Sequence, residues 1–258
     1  LVGASLFGQS FFSMLNADRG YDLTDTLSAR LSMPATIYRN PEERFALVER
    51  VLERIAGIPG VTAAAFTSES PLTSGGSTSA FDLKSPSADG GLVRVQASPR
   101  IVSPRFFSTL RLNAVDGRAF SESDTESSEP AVIVNQSFAR RYLGGSALGA
   151  RLPTAAYRVQ GREAIEWTVI GIVDDVRYVT TRDSSQPELF YSYRQMAGRL
   201  PVETVTLLAR TRSSGDPGVA AALRSAVREA DERLVADVVV PLEQRLLTTL
   251  ARPRLYAL

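Results

Sequence analysis

The sequence predicts an α+β fold of two lobes, a ferredoxin-like lobe built from two βαβ units with a mixed α/β lobe inserted between them. Three observations carry this. A strand, an Asx-Pro helix start, an amphipathic helix and an apolar strand follow one another from Thr26 to Ser68. The same layout returns from Val202 to Val240. Two such units make a four-stranded sheet with helices on one face. The region between them has a different grammar of short strands, short helices and polar loops.

In the first unit, Thr26–Pro34 alternates Leu27, Ala29, Leu31 and Met33 onto one face, the period of a strand. Asn40 then caps a helix, Pro41 takes its first position, and Glu42 and Glu43 suit its positive end. Phe45, Val48, Leu52 and Ile55 form the helical stripe, with Leu47 and Val51 beside it. Gly57, Pro59 and Gly60 stop the helix, and Val61–Ser68 is the next strand. In the second unit, Val202–Arg210 reads as a strand and Asp216–Pro217 as a capped start. Val219, Leu223, Val227 and Ala230 line the helix, and Leu234–Val240 is the closing strand.

Within the intervening region, Leu72–Gly91 reads as loops with a hairpin arm around Phe81–Lys84. Val93–Val102 is a strand, and Ser103–Pro104 caps a short helix ending at Leu110. Gly117–Pro130 is a polar loop. Ala131–Val134 is a strand with a helix directly after it. Glu166–Val176 is a buried strand by its Val and Ile content, and Glu188–Tyr193 is a last aromatic strand.

Composition excludes several function classes. The 258 residues are 44% hydrophobic and 22% charged, values of a folded globular chain. Its 29 basic and 28 acidic residues leave a net charge of +1, which gives no electrostatic footprint for nucleic acid. Cysteine and histidine are both absent. That removes thiol nucleophiles, the usual histidine base and His/Cys zinc sites. Lys84 is the single lysine.

Five features invite a chemical reading, and each has a structural one beside it. Gly144 and Gly149 have phosphate-loop spacing, but Ala150 and Arg151 stand where Lys and Ser or Thr are needed. They read instead as a helix end, with Arg140 and Arg141 in the last turn. Ser121, Glu122, Asp124, Glu126 and Glu129 could offer oxygens to calcium, yet they miss EF-hand spacing and read as a solvated acidic loop. Asp174 and Asp175 end a buried strand, a favoured place for catalytic groups. Adjacent strand residues point to opposite faces, so a turn before Arg177 is the competing reading. Trp167 could face a ligand or fill the core. Arg252–Pro253–Arg254 could meet lipid headgroups or simply stop a helix. No serine sits in G-x-S-x-G. The chain begins with the apolar Leu1–Leu15 and turns apolar again at its end, as either a segment cut from between two membrane helices or an amphipathic packing helix at each end would.

The order of short motifs resembles the periplasmic core domain of MacB-like, FtsX-type ABC transporter permeases. Leu1–Leu15 is similar to the tail of the first membrane helix, and Asp18–Pro34 to the first strand after it. Ile55–Leu72 is similar to the helix-to-strand join, and Val102–Asp124 to a short helix followed by a Gly-Arg-x-Phe turn. Ala131–Gly145 resembles the strand–Asn–helix element, with Trp167–Arg177 and Pro187–Tyr193 following in the family's order. Leu250–Leu258 is similar to the run into the second membrane helix.

The resemblance implies a porter-like lobe with a sabre-like lobe inserted in it. Residues 1–20 would be the end of the first membrane helix or a stalk, 21–92 and 201–245 the two halves of the porter-like lobe, 93–200 the sabre-like lobe, and 246–258 the stalk into the second membrane helix. It implies a homodimeric permease of the inner membrane, driven by a cytoplasmic ABC ATPase that is fused or separate. It leaves room for a periplasmic adaptor. It carries over no catalytic residue, cofactor or metal. Both chain ends should then lie at one pole. Two other readings remain at this stage. In one, an extracytoplasmic ligand-binding or sensor domain uses Trp167, Tyr191 and Tyr193 as pocket walls. In the other, a metal-dependent hydrolase uses Asp174 or the acidic loop.

Overall fold

The computed structural model describes residues 20–70, 78–84, 91–144, 147–153, 165–176, 186–196, 202–213 and 216–251. The apolar first residues, the loop tips on either side of Phe81–Lys84, Arg177 and Arg252–Pro253–Arg254 lie outside them.

The first unit forms as its periodicity predicts: β1 (Thr26–Ser32), α1 (Pro41–Ala56) and β2 (Val61–Thr67). Asn40 caps α1 by accepting from the Glu42 amide at 2.8 Å. The second unit comprises β10 (Thr204–Thr211), α5 (Pro217–Ala230), β11 (Val235–Ala236) and β12 (Val240–Pro241). Asp216 accepts from the Gly218 amide at 2.8 Å, repeating the device of the first unit. The strands of the two units interleave, β10 lying between β1 and β2 and β1 carrying β11 and β12 on its other side, all antiparallel. This is the split-βαβ, ferredoxin-like order.

Between the two units lie β3 (Ser79–Lys84), β4 (Leu92–Val102), α2 (Phe106–Leu110), β5 (Ala114–Gly117), β6 (Ala131–Asn135), α3 (Gln136–Tyr142), β7 (Arg151–Pro153), β8 (Glu166–Val173), β9 (Glu188–Ser192) and α4 (Tyr193–Met196). After them in the chain comes α6 (Leu242–Ala251). The inserted lobe does not build a sheet of its own. One sheet runs through the molecule in the order β11-β1-β10-β2-β4-β9-β6-β8-β5. The long β4 serves twice, pairing with the hairpin strand β3 in its first half and with β9 in its second.

Alternation along the strands gives the sheet two cores. Leu207, Phe66, Ile101, Tyr191, Val132 and Val169 lie on the face covered by α1, α5 and α3. Leu208, Ala65, Val102, Phe190 and Ile133 lie on the other, beneath α2. In β8 the register skips a residue, from Val169 opposite Val132 to Gly171 opposite Ile133. The bulge changes the parity, so Ile172 joins the core of Trp167 and Val169. Gly171 has to be glycine, because a Cβ there would stand 2.3 Å from the Arg118 carbonyl oxygen.

The structure corrects four details. The closing strand Leu234–Val240 is broken into β11 and β12. The Asp237 carboxylate accepts from the Arg30 amide at 2.6 Å, taking the place of a ladder carbonyl, and Val238 is thrown into solvent at 68% exposure. Ser103 does not cap α2, which starts at Phe106 without a side-chain cap. Its hydroxyl instead accepts from the Phe66 amide at 3.0 Å, across the boundary between β2 and β4. Tyr193 opens α4 rather than closing β9. The short strands β5 and β7 were not legible in the polar sequence around them.

The Phe66 amide is buried, and the Ser103 hydroxyl is the acceptor that the structure gives it. Replacing Ser103 with Ala should therefore cost about 1–3 kcal/mol, the penalty of stranding a buried donor. Urea unfolding of the two chains measures it, and a change within error would show that the hydroxyl is dispensable.

Candidate functional site

The residues singled out in the sequence define no single site, so the candidate site is the place where the tertiary structure gathers charged side chains from different elements. That place is the junction of the two lobes. On one face, α1 offers Glu49 and Glu53, and the inserted lobe offers Arg105, Glu122, Tyr193 and Arg194. Together with Leu52, Ala56, Ala64 and Pro104 they line an open cleft of about 300 Å³. Arg194 bridges the lobes, 2.8 Å from Glu49 on α1 and 2.9 Å from Glu122. The Tyr193 hydroxyl donates to Glu49. Burial, then the bond to Glu49, pushes this phenol above the usual tyrosine range. The Tyr193 ring meets Phe66 edge-on at 4.9 Å and Phe45 at 6.0 Å, so a side chain of the inserted lobe is part of the ferredoxin-like core.

On the opposite face, the lead-in segment Gly20–Asp25 runs between the lobes. Arg210 of β10 meets it there with its side chain 7% exposed. The guanidinium donates to the Asp22 carbonyl at 2.7 Å, the Thr24 carbonyl at 2.9 Å and the Thr109 carbonyl of α2 at 2.6 Å. It also lies 3.4 Å from the Asp22 carboxylate, which Arg111 reaches at 2.8 Å. Burial lowers the affinity of Arg210 for its proton, and Asp22 works against that. Burial would raise the Asp22 carboxyl, but hydrogen bonds from Thr24 and the two arginines outweigh it and hold it below its ordinary value. Gly20 adopts φ of +77°, and a Cβ there would stand 2.3 Å from the Asp175 carbonyl.

A fully buried pair ties β4 to β9. Arg100 and Glu188 meet at 2.5 Å with side chains 3% and 0% exposed, and Arg100 also donates to the Ser70 carbonyl.

The residues singled out in the sequence do not converge on a reactive centre. Asp124 of the acidic loop is buried rather than solvated. It takes both Arg118 nitrogens at 2.8 Å, and the Ser121 amide and hydroxyl at 2.7 and 3.0 Å. The loop folds around this carboxylate because a buried charge needs such partners. Asp174 and Asp175 do face the same helix, contrary to strand alternation, because β8 ends at Val173 and the chain turns. Asp174 accepts from the Gln136 side chain at 3.3 Å. Asp175 takes the Ser137 amide at 2.7 Å, the Ser137 hydroxyl at 2.8 Å and Arg140 at 2.6 Å. Both carboxylates thus serve the start of α3, together with the Asn135 cap that accepts from the Phe138 amide.

Trp167 and Tyr191 are both 2% exposed and stack edge-on at 4.9 Å, while Tyr193 lines the cleft elsewhere. The three do not wall one pocket, which removes the basis of the ligand-binding reading. Gly144, φ +65°, follows the end of α3, and Gly149 turns the chain so that its amide reaches the Val169 carbonyl. No group of three or more acidic, histidine or cysteine residues placed to hold a metal occurs among the described residues.

Sequence reasoning missed Arg210, Arg100 and Arg194. The first carried a signal: Arg210 is the one charged residue of Thr204–Thr211, where an unpaired cation would be costly.

Comparison with known proteins agrees with the architecture. The model for the MacB-like periplasmic core domain matches residues 1–229. The crystal structure of the periplasmic region of MacB from Actinobacillus actinomycetemcomitans superposes with a TM-score of 0.53 at 13% identity, covering 92% of this chain and 97% of that one. The extracellular domain of the noncanonic ABC-type transporter YknZ from Gram-positive bacteria gives 0.48 at 14% identity, covering 81% and 99%. No curated protein sequence matches the chain.

Around Asp124, burial raises the carboxyl, but Arg118 and Ser121 more than offset it, and the group ends below its ordinary value of 3.8. A depressed folded value contributes stability that is present above the unfolded carboxylate range and is lost as pH falls through and below it. The wild-type chain should therefore lose stability below about pH 4. An Asp124→Asn chain, less stable at neutral pH, should show a shallower acid slope. Denaturant midpoints measured between neutral pH and pH 3 check this, and parallel slopes would contradict it.

Proposed function

This chain belongs to the MacB-like periplasmic core domain family, and we propose that it couples ATP hydrolysis on the cytoplasmic side to movement or handover of a substrate outside the membrane. It is the extracytoplasmic domain of a MacB/FtsX-like ABC transporter permease of the inner membrane. Domains of this family are non-catalytic, so its part in transport is mechanical. In this reading the full-length permease works as a homodimer with a cytoplasmic ABC ATPase, fused or separate, and a periplasmic adaptor is compatible with it. The porter-like lobe takes 21–92 and 201–245 and the sabre-like lobe 93–200, with β3 reaching across to pair with β4. Residues 1–20 and 246–258 lead to the flanking membrane helices. Among the described residues no helix is long and apolar enough to cross a membrane.

The observation that carries the mechanical reading is the meeting of the segment before β1 with the start of α6. β12 pairs with β1 so that Pro241 faces Leu27, and the adjoining Leu242, fully buried, packs in the same cluster as Leu23. The segment entering the domain and the helix leaving it therefore meet at one corner, as two connections to one membrane require. Arg245 of α6 fastens the corner by donating to the Ser28 hydroxyl and to Asp237.

These 258 residues contain no cysteine, so Glu126→Cys on the exposed loop of the inserted lobe gives the domain a single spin-labelling site, with any cysteine outside it replaced by serine. In the full-length permease with its ATPase in nanodiscs, the distance between the labels of two protomers should differ between the nucleotide-free and ATP-trapped states. An identical distance distribution in both states would sink the coupling reading.

A further inference from the structure

We infer that Arg210 is a positioning residue through which displacement of the chain ahead of Asp22 reaches both lobes at once. This deepens the transport reading above and rests on it.

The lead-in segment is held differently from an ordinary strand approach. Its fixed points lie on the inserted lobe, on the ferredoxin-like sheet and on the departing helix. Gly20 is packed against the Asp175 carbonyl at the end of β8, close enough to exclude any side chain. The Asp22 amide donates to the Leu110 carbonyl of α2 at 2.8 Å. Leu23 is buried in a cluster with Leu110 and Val176 of the inserted lobe, Leu208 of β10 and Leu242 of α6. Asp25, at φ +50°, accepts from the Thr211 amide at 2.7 Å. A pull on residue 20 thus acts on the inserted lobe, on the ferredoxin-like sheet and on the departing helix.

Arg210 is the group that links these contacts directly. It stands on β10, a central strand of the ferredoxin-like sheet, on the face that α2 covers. Its planar guanidinium bonds to two carbonyls of the lead-in segment and one of α2, and faces the Asp22 carboxylate. A fork of several fixed N–H donors suits three carbonyls spread over two elements. A lysine ammonium is a compact point charge that cannot span them. Interlocked buried contacts shift together rather than deform one by one, which is what passing a displacement requires. The Arg111–Asp22 pair adds a second, exposed tie to the same carboxylate.

The test uses the spin-labelled full-length permease and ATPase described above, with Arg210→Lys introduced. The nucleotide-dependent change in distance should shrink at least about fivefold, with ATP hydrolysis retained to within about twofold. Asp22→Asn is the second variant, since it keeps the main-chain carbonyls that Arg210 holds and removes only the charge. It should lose part of the movement, and it decides the matter if the Arg210→Lys complex does not assemble. Trp167→Phe weakens the core without touching the lead-in segment, and it should move like wild type. Full movement in both Arg210→Lys and Asp22→Asn would overturn the inference and leave the transport reading intact. Equal loss in Trp167→Phe would also overturn it, by reducing Arg210 to a general stabiliser. No movement in the wild-type protein would overturn the transport reading, and the inference with it.

Discussion

Everything in the domain hangs on the seam between β2 and β4. Thr67 opposite Val102 is the one strand pair there. On either side the antiparallel register continues for a single step, Phe66 with Ser103 and Ser68 with Ile101. At each step a serine hydroxyl replaces one ladder carbonyl. The Ser103 amide donates to the Phe66 carbonyl while the Phe66 amide donates to the Ser103 hydroxyl. The Ser68 amide donates to the Ile101 carbonyl while the Ile101 amide donates to the Ser68 hydroxyl. Buried backbone donors have to be paired. These two hydroxyls let the strands part company after one pair without stranding an amide, so one sheet can pass from lobe to lobe.

The seam joins the inserted lobe to the ferredoxin-like sheet, and side chains hold the junction from both faces. Tyr193 and Arg194 reach from the inserted lobe to α1 on one side, and α2 closes the other. A lone ferredoxin-like sheet with helices on one face leaves its second face to solvent. Here that second face is a core, with Phe106, Phe107 and Leu110 of α2 packed on Ala65 and Leu208. The insertion is therefore part of the lobe that hosts it. In the proposed transport role, two lobes sharing a sheet and two cores would move as one lever, held at the lead-in segment that Arg210 grips.

Charge follows the same geography. Arg100 with Glu188 is a buried pair between neighbouring strands, Arg210 is buried against the half-buried Asp22, and an exposed Arg118 covers the buried Asp124 of the loop beside it. Breaking such a pair leaves an uncompensated charge, so these pairs specify one arrangement more than they add to its stability.

The sequence by itself determined the local elements. Period-two runs, the Asn40–Pro41 and Asp216–Pro217 starts and the helical stripe of α1 depend on a few neighbouring residues, and they are present as read. The ordered motifs were also enough to indicate the family. Tertiary structure decided what depends on residues far apart in the chain. It moved Ser103 from a helix cap to the seam, because the buried Phe66 amide needed an acceptor. It split the closing strand, because the Asp237 carboxylate could satisfy Arg30 across the sheet. It turned a polar loop inward around Asp124, and it turned Asp174 and Asp175 toward one helix once β8 had ended. Most of all it assembled the grip on the lead-in segment, where Arg210 lies 188 positions from Asp22 in the chain. A hydrogen bond depends on distance in space, and a sequence records only distance along the chain.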